Sequence, residues 1–364
     1  RNLRNVLGLP MGGSDFIVVD NLDPDILDLR MFSADELLND GNQYVNYYGY
    51  NFAGEKTKRV AAEDFFTDKQ NRPMNAFAPT YISGFVQDKF ELEDIIFNVG
   101  VRIDRFDANQ KVLKDPYVLF PTYTAGEARS LGYNVNDGIP DNWVPYMDDA
   151  TDPSTDGVLG YRDPEANIWY DANGTPVSSA ALRSGGEVQP FLKDDEISIE
   201  SFKDYTPQVI VMPRLSFSFP ISGDAVFFAH YDVLAQRPGQ TGVASGSALA
   251  GQIADYYFLQ NSSTITVTNP NLRPERTIDY EVGFKQKLND FMALSISAFY
   301  REMRDMLQIT NFTDAYPTTY STYSNIDFGT IKGFTFALNM IRMRNIRMSA
   351  SYTMQFASGT GSSF

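Results

Sequence analysis

The chain has no cysteine. This excludes disulfide scaffolds, thiolate metal centres and cysteine nucleophiles, and it is compatible with a bacterial envelope protein. Its one histidine, His230, cannot build a triad or a zinc site unless carboxylates complete the set. No run of 18 apolar residues occurs, so no transmembrane helix is expected, and mean hydropathy is only -0.29. Basic residues are outnumbered, 30 Lys and Arg against 46 Asp and Glu, giving a net charge of -16. That balance argues against nucleic-acid binding, which needs a basic surface. Tryptophan is limited to Trp143 and Trp169. The chain starts at Arg1 with neither Met nor a signal-like leader, and it ends in Ser-Gly-Thr-Gly-Ser-Ser-Phe364. It therefore reads as a fragment whose last residues, 358–364, belong to a truncated loop.

What the chain has in abundance is aromatic residues and alternation. Phe and Tyr number 27 and 21, which suits the aromatic girdles of a membrane barrel and equally a soluble β-rich protein. Alternation separates the two readings. Ile278, Tyr280, Val282 and Phe284 alternate with Asp279, Glu281, Gly283 and Lys285. After a tight turn at Asn289-Asp290, Met292, Leu294, Ile296, Ala298 and Tyr300 alternate with Ala293, Ser295, Ser297, Phe299 and Arg301. A period of two gives one apolar and one polar face, and runs of this length match the ~9–11 residues that a tilted strand needs to cross a bilayer.

Similar hairpins are expected near 80–106, 209–236 and 329–356. In the last, Phe334, Phe336, Leu338 and Met340 pair with a strand whose other face, Arg347, Ser349, Ser351, Thr353 and Gln355, is wholly polar. Such a face suits an aqueous lumen better than a dry core. The first strand, 81–90, alternates too poorly to be oriented. Residues 1–79 read as a loop-rich segment belonging to the barrel, with a helical turn at Ala34–Leu38 behind the cap Ser33. Residues 80–357 read as barrel strands in four hairpins, with long loops at about 107–204, 237–277 and 305–328. Short turns on one side and long loops on the other are the barrel rhythm. The predicted fold class is all-β, a transmembrane antiparallel β-barrel with long extracellular loops. Eight strands can close a small barrel, but loops this large point to part of a bigger ring.

The segment Asn269-Pro-Asn-Leu-Arg-Pro-Glu-Arg-Thr-Ile-Asp-Tyr-Glu-Val-Gly-Phe284 resembles the strand-entry motif of TonB-dependent outer-membrane receptors. Phe85-Val-Gln-Asp-Lys-Phe90 followed by Phe97-Asn-Val-Gly-Val-Arg-Ile-Asp-Arg-Phe106 is similar to a second family hairpin. Ile331-Lys-Gly-Phe334 resembles a third entry, with Thr335 where Glu is usual. The overall look is nearest to Bacteroidota-type receptors. The Pro-Glu in the first motif, where the glycan-importing branch commonly has Trp-Glu, points away from that branch. The resemblance implies a 22-stranded barrel in the bacterial outer membrane, closed by an N-terminal plug and driven through a TonB box. Neither the plug domain nor the box is present in this sequence. The implied partners are outer-membrane lipid, TonB through the absent plug region, and a surface lipoprotein or other envelope proteins.

Alternation assigns Arg214, His230, Asp279, Glu281, Lys285, Lys287, Arg301 and Arg347 to a lumen-facing wall. It assigns Phe227, Tyr231, Val282, Phe284, Leu294, Ile296, Phe336 and Leu338 to a lipid-facing wall. Trp143 and Trp169 are candidate ligand or partner contacts, with pinning of the loop to itself as the plainer alternative. The carboxylates Asp137, Asp141, Asp148, Asp149, Asp152, Asp156 and Asp163 are dense enough to hold Ca²⁺. They lack EF-hand spacing, so a solvated loop is the leading expectation, and no other cofactor is indicated. No nucleophile–base arrangement or metal spacing points to an enzyme. The expected function is energy-dependent, TonB-coupled uptake of a bulky ligand. The alternative is a receptor-like barrel acting as a structural or partner-binding subunit of a larger outer-membrane complex.

Overall fold

The computed structural model describes residues 2–360 except 11, 14, 15, 40–42, 46, 155, 156, 185, 238–252, 260–265 and 344. Eight long strands form the wall: β1 Thr80–Leu92, β2 Ile95–Asp107, β3 Gln208–Ser222, β4 Ala225–Gln236, β5 Glu275–Asn289, β6 Met292–Phe312, β7 Tyr320–Met343 and β8 Ile346–Gly359. Each pairs antiparallel with the next in sequence order. The turns β1–β2, β3–β4, β5–β6 and β7–β8 are two residues each, and all lie along one edge. The two-residue Thr266–Val267 strand adds parallel to the far end of β7.

Register carries the alternation across the sheet without a break. One row runs Phe90, Phe97, Phe217, Ala229, Val282, Ala298, Phe334 and Met354, and the next row includes Phe227, Phe284, Ile296, Phe336 and Tyr352. A one-residue slip in any pair would put these side chains on opposite faces. The same register orients β1, whose own pattern is ambiguous. Val86 opposite Val101 and Phe90 opposite Phe97 place these residues with the apolar face, whereas Asp88 opposite Val99 falls on that face and Phe85 opposite Arg102 falls on the polar one.

Two expected loops are corrected. The loop at about 305–328 shrinks to 313–319, because β6 and β7 run 21 and 24 residues. Both exceed the ~9–11 residues that cross a bilayer, so their far ends continue outward as a paired ribbon. The expected loop at about 107–204 is not irregular. It contains a five-stranded sheet of Val144–Met147, Val158–Asp163, Ile168–Asp171, Pro176–Val177 and Gln189–Pro190, with a helix Ala125–Ser130 alongside. Its Asp, Gly and Pro shape the many turns between short strands. The expected helical turn at Ala34–Leu38 is present, capped by Ser33 and Glu36 in a reciprocal box.

These outer segments pack into one cap. Leu119, Leu192, Ile197 and Phe202 of the large loop share a core with Tyr256, Leu259, Val267 and Tyr320. Leu38, Tyr47, Phe65 and Met74 of the first segment pack with Ala254 and Phe258. The helix Ile253–Leu259 therefore serves both cores, Ala254 and Phe258 toward one and Tyr256 and Leu259 toward the other. Of the expected 237–277 loop, 238–252 and 260–265 lie outside the described residues.

Candidate ligand-binding cap and inner wall

The polar face of the wall is laced by cross-strand pairs. Arg214 meets Asp232 at 3.0 Å, Arg301 meets Asp279 at 3.0 Å, and His230 lies opposite Glu281 with Nδ1 to Oε2 at 3.7 Å. Lys285 sits 5.1 Å above the Phe228 ring, Lys287 pairs with Asp290 at the turn at 2.7 Å, and Arg347 is exposed. Alternation alone did not reveal how the polar face accommodates its aromatic residues. Phe228 lies directly opposite Gly283 and Phe299 opposite Gly333. A Cβ at Gly283 would stand 2.1 Å from the Phe228 ring, and one at Gly333 2.8 Å from the Phe299 ring. Each ring occupies the space that a side chain at the glycine would need, a packing that pins strand register.

On the apolar face, aromatic rings gather in two rows. Phe90, Phe97, Phe217 and Phe227 are linked by centroid distances of 5.2, 6.2 and 6.0 Å near the short turns. Tyr231, Tyr280 and Tyr300 are linked at 5.1 and 6.2 Å higher up the strands. Between them Val282, Phe334 and Phe336 are 49, 50 and 42 % exposed, an apolar belt far too continuous to face water.

The strand-entry motif acts as a staple. Asn269 donates to the Tyr323 carbonyl at 2.9 Å, and the Asn325 side chain both accepts from Arg273 N at 2.8 Å and donates to its carbonyl at 2.9 Å. Leu272 is buried. Arg273 and Arg276 converge on Asp305 at 2.7 and 3.1 Å. Asp305 occupies the bulge of β6 with a φ of 58°. The Glu275 carboxylate accepts from Leu307 N at 3.2 Å. The motif thus fastens the loop end of β5 to both neighbouring outward-reaching strands.

Within the cap, two buried arginines hold segments distant in sequence together. Arg72 donates to Asp35 at 2.8 Å, to the Phe65 carbonyl at 2.9 Å and to the Tyr257 hydroxyl at 2.9 Å. Arg162 pairs with Asp115 and with the Tyr146 hydroxyl. Burial pulls the Arg162 pKa down, but Asp115 and Tyr146 outweigh it and leave it above its ordinary value. Burial pushes the Tyr146 hydroxyl up to about 12. Trp169 is buried beside Tyr146 at 4.6 Å, and Trp143 stacks on Tyr170 at 4.0 Å. The candidate contact role of Trp169 is corrected accordingly, because its ring fills the loop's own core.

The acidic run is spent on turns and ion pairs. Asp148 accepts from Asp149 N and from both N and Oγ of Ser154, and Asp149 accepts from Thr151 N and Asp152 N. Asp163 accepts from Glu165 N and Ala166 N, while Asp141 pairs with Arg129 at 2.6 Å and Asp137 lies 4.0 Å from it. Asp156 lies outside the described residues. Among the described residues no group of three or more carboxylates or histidines could hold a metal ion.

A cavity of about 680 Å³ opens where the first segment meets the base of the large loop. Phe65, Met74, Phe77 and Tyr205 line it with Lys56, Lys58, Arg59 and Lys111. Nothing in the sequence signalled it, because its walls join residues 49–78 with 107–111, 204–205 and 253–254, with Arg59 donating to Asn109 at 2.9 Å and Asn109 to the Ala78 carbonyl at 2.9 Å.

A two-faced antiparallel wall with short turns on one edge and a folded cap on the other defines a bacterial outer-membrane β-barrel protein. The chain belongs to the TonB dependent receptor-like, beta-barrel family, whose match covers residues 14–363. No curated protein matches it. Among solved structures it is similar to the FrpB iron transporter from Neisseria meningitidis at 10% identity, covering 77% of this chain and 26% of that one, with a TM-score of 0.37. It is also similar to the hemophore receptor HasR from Serratia marcescens, solved with HasA and heme, at 15% identity, 78% and 34% coverage and a TM-score of 0.40. The siderophore receptor PirA from Acinetobacter baumannii is similar at 12% identity, 84% and 39% coverage and a TM-score of 0.32. The chain spans about a quarter to two fifths of the length of these proteins.

Proposed function

We propose that this chain forms the membrane wall and outer cap of a receptor that takes up a bulky ligand by TonB-coupled transport. The single observation that carries the reading is the joining of wall and cap. Strands with one continuous apolar face run on, as β6 and β7, into a folded cap that holds a ligand-sized cavity. In this reading Phe227, Tyr231, Val282, Phe284, Leu294, Ile296, Phe336 and Leu338 meet lipid. Arg214, His230, Asp279, Glu281, Lys285, Lys287, Arg301 and Arg347 line the lumen, where their pairing lowers the cost of a charged wall. TonB acts through a plug region, and the chain itself performs no catalysis.

A second reading, a partner-binding subunit, is favoured by one observation. Phe16, Val18, Val19, Ile26, Leu27 and Leu29 of the first segment are all exposed, Phe16 at 91 %. Partner-dependent capture and uptake are separated by one experiment. Cells with and without the receptor, and with and without a working TonB, are grown in complex medium whose components are followed by mass spectrometry. Uptake predicts a component depleted only when both are present. Depletion independent of TonB, with a stoichiometric envelope protein co-purifying, would replace the first reading by the second.

A further inference from the structure

The cavity beneath the first segment combines three properties rarely found together by chance. It is pre-formed: the Asn75 side chain accepts from Val60 N at 3.0 Å and donates to the Val60 carbonyl at 2.8 Å, closing the turn whose residues 57–62 make one wall. Its lining includes apolar side chains, with Phe65 and Met74 buried and Phe77 41 % exposed. Its lip is positive in a chain of net charge -16. Both lining carboxylates are already engaged. Asp107 lies 3.5 Å from Arg105 and caps Asn109 N, and Asp204 pairs with Lys111 at 2.9 Å. Lys56 and Lys58 line the same cavity and form no ion pair among the described residues. Two exposed ammonium groups lining a largely apolar pocket, without an ion-pair partner among the described residues, attract an anion and reject a cation.

We propose that this cavity binds an organic anion with a flat apolar body, the Lys56 and Lys58 ammonium groups holding its carboxylate, sulfonate or phosphate while the exposed Phe77 ring stacks on it. This rests on the receptor reading above and gives it a ligand class. A volume of about 680 Å³ falls within the ~300–1,000 Å³ of ordinary small-molecule sites, so the anion is a discrete compound or one arm of a larger one.

The test uses two probes that share the naphthalene ring, the anion naphthalene-1-sulfonate and the uncharged 1-naphthalenemethanol, titrated calorimetrically into the protein held in lipid nanodiscs. The sulfonate is expected to bind one-to-one and at least about tenfold more tightly than the alcohol, since charge-assisted contacts at a partly desolvated mouth are the strong ones. Lys56→Glu with Lys58→Glu removes that preference and leaves the alcohol unchanged. Ala62→Trp, which narrows the cavity, weakens both. Lys114→Glu, elsewhere on the cap, changes neither. If the double reversal fails to assemble, as read by heat-modifiable gel migration, Lys56→Gln with Lys58→Gln takes its place and is expected to lose most of the preference. Equal affinity for the two probes, a preference that survives loss of both lysines, binding of both probes undiminished by Ala62→Trp, or no binding of the sulfonate at millimolar concentration would each overturn the proposal. The measurement needs neither TonB nor a motor. Its failure leaves the uptake reading standing, and loss of TonB-dependent uptake with intact sulfonate binding sinks only that reading.

Discussion

Replacing Phe284 by Arg tests the two-faced wall at its most demanding point. Phe284 lies five residues before the end of β5 at Asn289, since 289 less 284 is five. At ~3.3 Å per residue and a tilt of ~40° it stands about 13 Å above the turn, near the middle of an apolar band ~25 Å tall. Its cross-strand neighbours are Phe227 and Ile296, so no acceptor waits for a guanidinium. A cation at the midplane of a barrel's lipid face costs ~2–4 kcal/mol. The next residue, Lys285, is on the opposite face with the Phe228 ring 5.1 Å away. Lys285→Ala therefore costs at most ~0.5–1 kcal/mol, the worth of an exposed cation–π contact. Leu294 stands only two residues beyond Met292, where β6 begins, about 5 Å from the edge by the same geometry, so Leu294→Arg costs about 1 kcal/mol. Urea titration of the protein refolded into lipid vesicles, with heat-modifiable gel migration as the readout, orders the three. The expected order of destabilisation is Phe284→Arg, then Leu294→Arg, then Lys285→Ala. Equal losses for Phe284→Arg and Lys285→Ala would refute the assignment of faces, and a larger loss at Leu294 than at Phe284 would refute the placement of the band.

Gly283→Val should prevent correct pairing of β4 with β5, because a Cβ would stand 2.1 Å from the Phe228 ring. Phe228→Ala in the same chain should restore assembly, and a double variant as defective as Gly283→Val alone would show that the ring is not the obstacle. Arg72→Met should loosen the first segment by about 1–3 kcal/mol, the cost of leaving buried acceptors unmet; protease cutting within 1–79 should rise while the wall stays intact. Glu127 caps its helix with Thr124 and meets Lys193 at 2.7 Å. Burial raises its pKa, but these partners outweigh it and hold it below the ordinary 4.5. Its contribution is thus complete above 4.5 and is lost as pH falls through the lowered value. With the carboxylate about half exposed, the effect is only ~0.5–1 kcal/mol. Protection factors of residues 120–135, taken against the intrinsic exchange rate at each pH, should fall as pH drops below about 4.5, and Glu127→Gln should show the reduced protection already at neutral pH with a flatter acid response.

The wall was legible because a strand's faces are written locally. Residues 278–301 display their alternation without reference to anything distant, and a turn of two residues leaves no doubt about the hairpin. Even the cap of the helix Ala34–Leu38 is a local signal, Ser33 reaching Glu36. The cap as a whole was illegible for the opposite reason. Arg72 finds Tyr257, Arg162 finds Asp115, and the helix Ile253–Leu259 packs against residues near 38 and near 192, so no window of sequence contains both partners. Density of Asp and Gly in 107–204 suggested irregular chain, whereas those residues shape turns between short strands that bury Tyr146, Tyr161 and Trp169. The outward reach of β6 and β7 was missed because their far ends alternate less cleanly. There β6 carries the bulge at Asp305 and both strands face cap rather than lipid.

The cap is tied to the wall at several places, which constrains how capture can work. Strands β6 and β7 pass from the apolar belt into the cap as one hydrogen-bonded ribbon from Met292 opposite Met340 to Phe312 opposite Tyr320. The end of that ribbon is itself cap core, since Tyr320 is buried and its hydroxyl donates to the Pro116 carbonyl at 2.6 Å. A second tie is the staple of Asn269, Arg273 and Glu275 to the bulge at Asp305. A third is the helix Ile253–Leu259, which holds the first segment and the large loop together and packs in one core with Tyr320 at the end of β7. Swinging the cap as a lid would break several of these at once, including backbone pairs of a continuous ladder. A pocket that stays pre-formed loses little conformational entropy when it binds. In the uptake reading proposed above, such a cap would select a ligand by the shape and charge of its cavity without swinging, and the polar face braced by Arg214–Asp232 and Asp279–Arg301 would stay fixed beneath it.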